Sequence, residues 1–195
     1  RGNQFRILHG IPPDVPLVGI VGELIVLKGQ RDFVLAANEV AKKHPDARFV
    51  IAGKDNSLDN KFRRELKRLV KVSRFEERFL WLDWVEDTAP LFASFDIFVS
   101  ASHTESFGLA MLEAMASGAA VIATDTAGAR ELVRDPDMLV PVRDPVALAE
   151  KISELIRDSE RRRSVAAEAE HYARENFSLE RMMDETEGLY RRLLN

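Results

Sequence analysis

The chain of 195 residues contains no cysteine. Disulfides, thiolate metal sites and cysteine nucleophiles are thereby excluded, and the composition suits a reducing, cytoplasmic setting. No apolar run reaches the ~20 residues that a membrane-spanning helix needs, and no signal peptide is legible at the start. A soluble protein is expected, and the opening Arg1-Gly2-Asn3-Gln4 reads as an interior cut from something larger. An excess of one charge is also missing. Lysine and arginine number 28 against 32 acidic residues, a formal net charge of −4. That balance gives neither nucleic acid nor an anionic membrane a whole-domain footprint. No Gly-x-Gly-x-x-Gly follows an apolar run, which argues against a nicotinamide dehydrogenase. The four histidines, His9, His44, His103 and His171, show no ligand spacing. Asp135-Pro136-Asp137 has the Asp-x-Asp form of a manganese motif, but its central proline favours a turn, and no metal site is expected.

What the chain does have is 46% hydrophobic and 31% charged residues, enough for one globular domain. Short apolar runs recur without alternation at Val18 to Val21, Phe49 to Ala52, Ile97 to Val99, Val121 to Ala123 and Leu139-Val140. Such runs read as strands buried on both faces. Helical stripes lie between them: Phe33, Ala36, Ala37 and Val40; Leu66, Leu69 and Val70; Leu148, Ile152, Leu155 and Ile156. Alternation of this kind predicts an α/β fold with a doubly wound, Rossmann-like parallel sheet. Ligands of such sheets bind beyond the carboxyl ends of the strands. Here those ends carry Gly22-Glu23, Gly53-Lys54, Ser100 to Glu105 and Thr124-Asp125. From Ser159 the chain turns charged and helical, with a break at Phe177-Ser178 and a last apolar stripe through Met182, Leu189 and Leu193. The arginine clusters at 161–163 and 191–192 read as solvated helix faces.

The most informative stretch is Glu105-Ser106-Phe107-Gly108-Leu109-Ala110-Met111-Leu112-Glu113. It sits at a strand-to-helix corner, and the spacing predicts a helix beginning at Phe107. The first amides, those of Phe107, Gly108 and Leu109, would then lack intrahelical acceptors and face outward at the positive end of the helix dipole. That is an anion site suited to phosphate. Carboxylates at both ends add groups that bind hydroxyls, so the ligand implied is a nucleoside diphosphate sugar.

Glu-x7-Glu enclosing Phe-Gly-Leu, followed by Glu113-Ala114-Met115-Ala116-Ser117-Gly118, resembles the retaining GT-B glycosyltransferases of family four, the glycosyl transferases group 1. The resemblance covers the carboxy-terminal half of such an enzyme, from roughly Pro16 to the end. It implies that Glu105 contacts the transferred sugar and serves as the catalytic residue, that Glu113 binds the ribose, and that Phe107, Gly108 and Leu109 meet the diphosphate. Gly22-Glu23-Leu24 with Lys28-Gly29 resembles the family's Gly-Arg-Leu…Lys-Gly loop, which assigns Lys28 to the diphosphate. Glu23 departs from the pattern, since a carboxylate in the arginine position repels phosphate. Arg78 to Asp87 resembles the strand and loop that hold the base, which implicates Trp84 and Val85, although Asp83 stands where glycine is usual; Trp81 reads as core. Asp125 to Glu131 resembles the loop after the fifth strand, with Gly128 either approaching the sugar or making a turn. The resemblance further implies three parts. Residues 1–15 would end an interdomain linker, 16–176 would form the nucleotide-sugar-binding domain, and 177–195 would form a helix that packs on the missing amino-terminal half.

The function implied is transfer of a hexosyl unit to an acceptor hydroxyl in polysaccharide or glycolipid synthesis, with no cofactor and no metal required. Partners would be the nucleotide sugar, a sugar, lipid or small-molecule acceptor, and the missing half, through which alone any membrane contact would come. This chain by itself would be inactive. Two rivals remain at this stage: a non-catalytic nucleotide-sugar-binding or assembly module, which Glu23 favours, and another GT-B enzyme such as an epimerase.

Overall fold

The computed structural model describes residues 2–194; residue 1 of the opening segment and residue 195 of the closing one lie outside them. Six parallel strands form one sheet: β1 (Leu17–Val21), β2 (Arg48–Ala52), β3 (Phe79–Leu82), β4 (Ile97–Ser100), β5 (Ala120–Thr124) and β6 (Leu139–Val140). Their order is β3-β2-β1-β4-β5-β6, so the winding reverses between β1 and β4. The apolar runs do not alternate because both faces of the sheet are covered. Val18, Ile20, Phe49, Ile51, Ile97 and Val99 pack on one side, and Leu17, Val50, Ala52 and Phe98 on the other. Each such buried Val, Leu, Ile or Phe side chain stabilises the fold by about 1.5–3 kcal/mol relative to exposure.

The first face is covered by α2 (Gln30–Lys43), α3 (Lys61–Ser73) and α7 (Pro145–Arg157), through Phe33, Val40, Leu66, Val70, Leu148, Ile152 and Leu155. The stripes expected at these positions are the buried ones, with Leu69 and Ile156 partly buried at their edges. The second face takes α4 (Ala89–Phe92), α5 (Leu109–Ala116), α6 (Ala127–Leu132) and α8 (Ser159–Asn176), with Phe92, Met111, Met115 and Leu132 inside. Capping follows side-chain chemistry. Asp144 accepts from the amides of Val146 and Ala147 to start α7, and Asp158 accepts from Arg161 to start α8.

The opening segment carries α1 (Gly2–Leu8), which is tied to the domain by Arg6. Its buried guanidinium pairs with Asp96 at 2.8 Å and donates to the carbonyls of Ser94, Pro13 and Val15. At the other end, Ser178 caps α9 (Leu179–Leu194) by accepting from the Arg181 amide, as the break predicts. No residue of α9 is buried, and Met182, Leu189 and Leu193 are exposed. Among the described residues no helix is long and apolar enough to cross a membrane.

Two of the arginines expected on solvated faces make specific bonds instead. Arg161 pairs with Asp135 and Asp137, and Arg162 donates to the Leu155 carbonyl at the end of α7. Asp137 also meets Lys151 at 2.9 Å, so the Asp-Pro-Asp turn fastens α7 and α8 to the sheet. The Lys151 hydrogen bond holds the Asp137 carboxyl below its ordinary value; burial opposes this, and Arg161 adds to it.

Candidate functional site

The point where the winding reverses opens a cleft of about 430 Å³ between the carboxyl ends of β1 and β4. Its walls include Gly22, Lys28, Ser102, Glu105, Gly108 and Leu109. Crevices at this position are where doubly wound sheets take ligands. A second cleft of about 270 Å³ shares Val21 and Gly22 with the first and extends past the ends of β2 and β3, along Gly53, Lys54, Asn56, Asp83, Trp84, Val85 and Thr88. The two form one continuous rim.

Three parts of the corner segment meet in the first cleft. Gly108 adopts φ 100° and ψ 62°, a left-handed conformation that side chains strongly disfavour, so α5 begins at Leu109 and not at the expected Phe107. The later start moves the free amides of the first helical turn to Leu109, Ala110 and Met111. Among the described residues the amides of Phe107, Gly108 and Leu109 donate to no protein acceptor. Glu105, 13% exposed, accepts from Lys28 Nζ at 2.7 Å and from Ser102 Oγ at 3.2 Å. The lysine expected at the diphosphate and the glutamate expected at the sugar are thus an ion pair in the cleft wall.

The loop that carries Glu105 is braced from three sides. Gly128 donates to the Glu105 carbonyl at 2.9 Å, and a Cβ there would lie 2.6 Å from the Phe107 nitrogen. The expectation of a turn is therefore corrected. Gly128 lies inside α6, and the close neighbour that requires glycine is the 106–107 backbone. His103 supplies a second brace. Its Nε2 lies 2.7 Å from Asp32 Oδ2, Arg143 Nε lies 3.4 Å from Nδ1, and its amide donates to the Leu27 carbonyl. These contacts hold the Glu105 loop against the turn that carries Lys28. Finally, Phe177 stacks edge-on against Phe107, with ring centroids 5.7 Å apart.

The remaining candidates fall around the second cleft. Trp84 and Val85 both line it, and Trp84 is 75% exposed. Trp81 is half-buried against Phe79 and carries Lys67 over its ring. Glu113 lines neither cleft; its carboxylate accepts from Thr88 Oγ1 at 3.1 Å, and Thr88 borders the second cleft. Glu23 lies with this second group. Its carboxylate accepts from Asn56 at 2.8 Å, and it is absent from the wall that carries Lys28. Glu23 therefore lines the second cleft and not the first.

Sequence reasoning missed Thr88, Asn56 and Gln30. Gln30 is fully buried, lines the first cleft, and donates to the Glu23 carbonyl at 2.7 Å, which fixes the Gly22-Glu23 turn. Asp55, buried behind this rim, accepts from the amides of Ser57 and Arg63 and starts α3. Burial pushes its carboxyl up, but hydrogen bonds from Ser57 and Arg63 outweigh that and leave it below its ordinary value.

Comparison with known proteins agrees with this geometry. The family described as Glycosyl transferases group 1 matches residues 15–158. A D-inositol 3-phosphate glycosyltransferase from Corynebacterium urealyticum is 34% identical over 98% of this chain and 46% of its own length. The crystallised carboxy-terminal domain of a glycosyl transferase group 1 family protein, LpcC from Francisella tularensis, is 32% identical. It superposes with a TM-score of 0.83 over 92% of this chain and 94% of that domain. Anabaena Alr3699/HepE, crystallised with UDP and glucose, is 25% identical, with a TM-score of 0.87 over 95% of this chain and 51% of its own. The chain spans about half the length of the curated relatives it matches. A doubly wound sheet, a cleft at its switch point and a family match over most of the residues lead to one statement: the chain belongs to the glycosyl transferases group 1 family, as a Rossmann-like half of a GT-B fold.

Proposed function

We propose that this chain is the donor-binding domain of a retaining glycosyltransferase that moves a hexosyl unit from a nucleoside diphosphate sugar to an acceptor hydroxyl. The observation that carries the reading is the set of three unpartnered amides, Phe107 to Leu109, on residues that line one cleft together with the Lys28–Glu105 pair. Free amides at a helix start favour a diphosphate, and the Lys28 ammonium neutralises the charge that grows on it as the sugar leaves. Glu105 then turns from Lys28 to hydroxyls of the sugar and orients it. The base would lie in the second cleft by Trp84 and Val85, and the ribose between the clefts at Glu113 and Thr88. Anabaena Alr3699/HepE, of like fold, was crystallised with UDP and glucose, which supports a nucleotide-sugar ligand here.

The acceptor, the class of product and any membrane contact would belong to the partner half of a longer protein. That half would also cover the apolar stripe of α9. The experiment is turnover by the full-length protein against a panel of nucleotide sugars. Transfer with retention at the anomeric carbon supports the proposal. Tight donor binding with no transfer to any acceptor or to water would instead favour a binding module.

A further inference from the structure

The second cleft presents an unusual set of charges for a site whose ligand carries a diphosphate. Two carboxylates, Glu23 and Asp83, and one ammonium, Lys54, line it beside the amide of Asn56. Glu23 is held in place: one oxygen accepts from Asn56 at 2.8 Å, while Gln30 fixes its backbone carbonyl. Asp83 follows directly on β3, where the largely buried Arg63 guanidinium ties together the Gly53 and Leu82 carbonyls and touches Asp83 at 3.4 Å. The second oxygen of each carboxylate, and the Lys54 ammonium, have no hydrogen-bond partner among the described residues. Trp84 adds an exposed ring at the same edge.

We infer that the base read in this cleft is guanine, so that the donor is a guanosine diphosphate sugar. The inference rests on the donor-site reading above and supplies the base that the reading leaves open. Ionised carboxylates only accept hydrogen bonds, and an ammonium only donates. The pairing edge of guanine offers O6 as acceptor, then N1–H and the N2 amine as adjacent donors. Lys54 suits O6, and the carboxylates of Glu23 and Asp83 suit the two donors, as charge-assisted bonds. Uracil offers one N–H between two carbonyl oxygens, so a carboxylate that accepts from it faces a like-charged oxygen alongside. Adenine offers one amine beside a ring nitrogen that can only accept, and the same conflict arises. A purine also covers more of the Trp84 ring than a pyrimidine does, which strengthens stacking.

The test is calorimetric titration of the 195-residue chain with GDP, UDP and ADP. The separately crystallised LpcC domain, which covers nearly the same span, shows that such a domain folds without its partner half. Glu23→Gln, Asp83→Asn and Lys28→Met are titrated beside the parent, each with a thermal melt to verify folding. GDP should bind about tenfold or more tighter than UDP and ADP, the discrimination typical of one good carboxylate-to-base contact. Glu23→Gln and Asp83→Asn should shrink that preference to about threefold or less, and Lys28→Met should weaken every diphosphate that binds. Equal or tighter binding of UDP or ADP, still weakened by Lys28→Met, overturns the guanine assignment and leaves the donor site standing. A GDP preference indifferent to both carboxylate variants overturns it as well. No diphosphate binding at all, or binding indifferent to Lys28→Met, removes the donor site and the guanine assignment together.

Discussion

Replacing Glu105 with glutamine should separate donor affinity from sugar transfer, in a direction that follows from one distance. In the first cleft Lys28 Nζ lies 2.7 Å from Glu105, whose side chain is 13% exposed against 35% for the lysine. A diphosphate that enters must draw the lysine away from this carboxylate. At an effective dielectric of ~20 two unit charges about 4 Å apart attract by roughly 4 kcal/mol, and partial exposure reduces that to about 1 kcal/mol of net coupling. Glu105→Gln removes the competition and a negative charge beside the phosphates. Free nucleoside diphosphate should then bind three- to tenfold tighter, or at least no weaker, while transfer by the full-length protein collapses. Lys28→Met should do the opposite to binding, with a loss of about ten- to a hundredfold from one charged hydrogen bond. Calorimetry on both single variants and the double variant gives the coupling between them. If Glu105→Gln weakened the free diphosphate as much as Lys28→Met, and the two effects added, the ion pair would have no role in ligand exchange.

Other outcomes follow from individual contacts. Gly128→Ala places a Cβ 2.6 Å from the Phe107 nitrogen, so the backbone must shift, and urea unfolding should show a loss of about 1–3 kcal/mol together with weaker diphosphate binding. Asp55→Ala removes the acceptor for the Ser57 and Arg63 amides at the start of α3 and should cost about 1–2 kcal/mol in the same measurement. Asp55 and Asp137 both have lowered carboxyl pKa values in the folded chain, so their contribution is complete above the ordinary carboxylate value near ~4 and is lost as pH falls through the folded value. Stability should therefore drop on acidification below about pH 4, and less so in Asp55→Asn. Gly188→Ala, where a Cβ meets nothing within 4 Å, should raise helicity in α9 by about 1 kcal/mol of local stability, read by hydrogen exchange.

Much of the sheet was legible because a strand buried on both faces must be apolar at every position, and five of the six strands announce themselves so. β3 is less plain: Trp81 and Leu82 are only half-buried, and the strand was placed through the resemblance of the surrounding segment. The helix start at Leu109 was misplaced by two residues because a left-handed Gly108 and the pressure of Gly128 on Phe107 are tertiary facts without a local signature. The same holds for Glu23. Its type suggested conflict with phosphate, but Asn56, 33 positions away, draws it toward the other cleft. Partners such as Thr88 for Glu113 and Asp32 for His103 lie 25 and 71 positions apart, beyond any motif spacing. Residue types at the rim could be read from the chain, whereas their pairing could be read only once the strands had brought them together.

The central claim is that a diphosphate sits on the free amides ahead of α5 beside Lys28. A titration of the isotope-labelled chain with a nucleoside diphosphate, followed by amide chemical shifts, addresses it directly. Phe107, Gly108 and Leu109 should move most, with Gly22 and Lys28 following, and Lys28→Met should suppress the shifts at the same concentrations. Saturable shifts centred elsewhere, or an unmoved 107–109 segment, would contradict it.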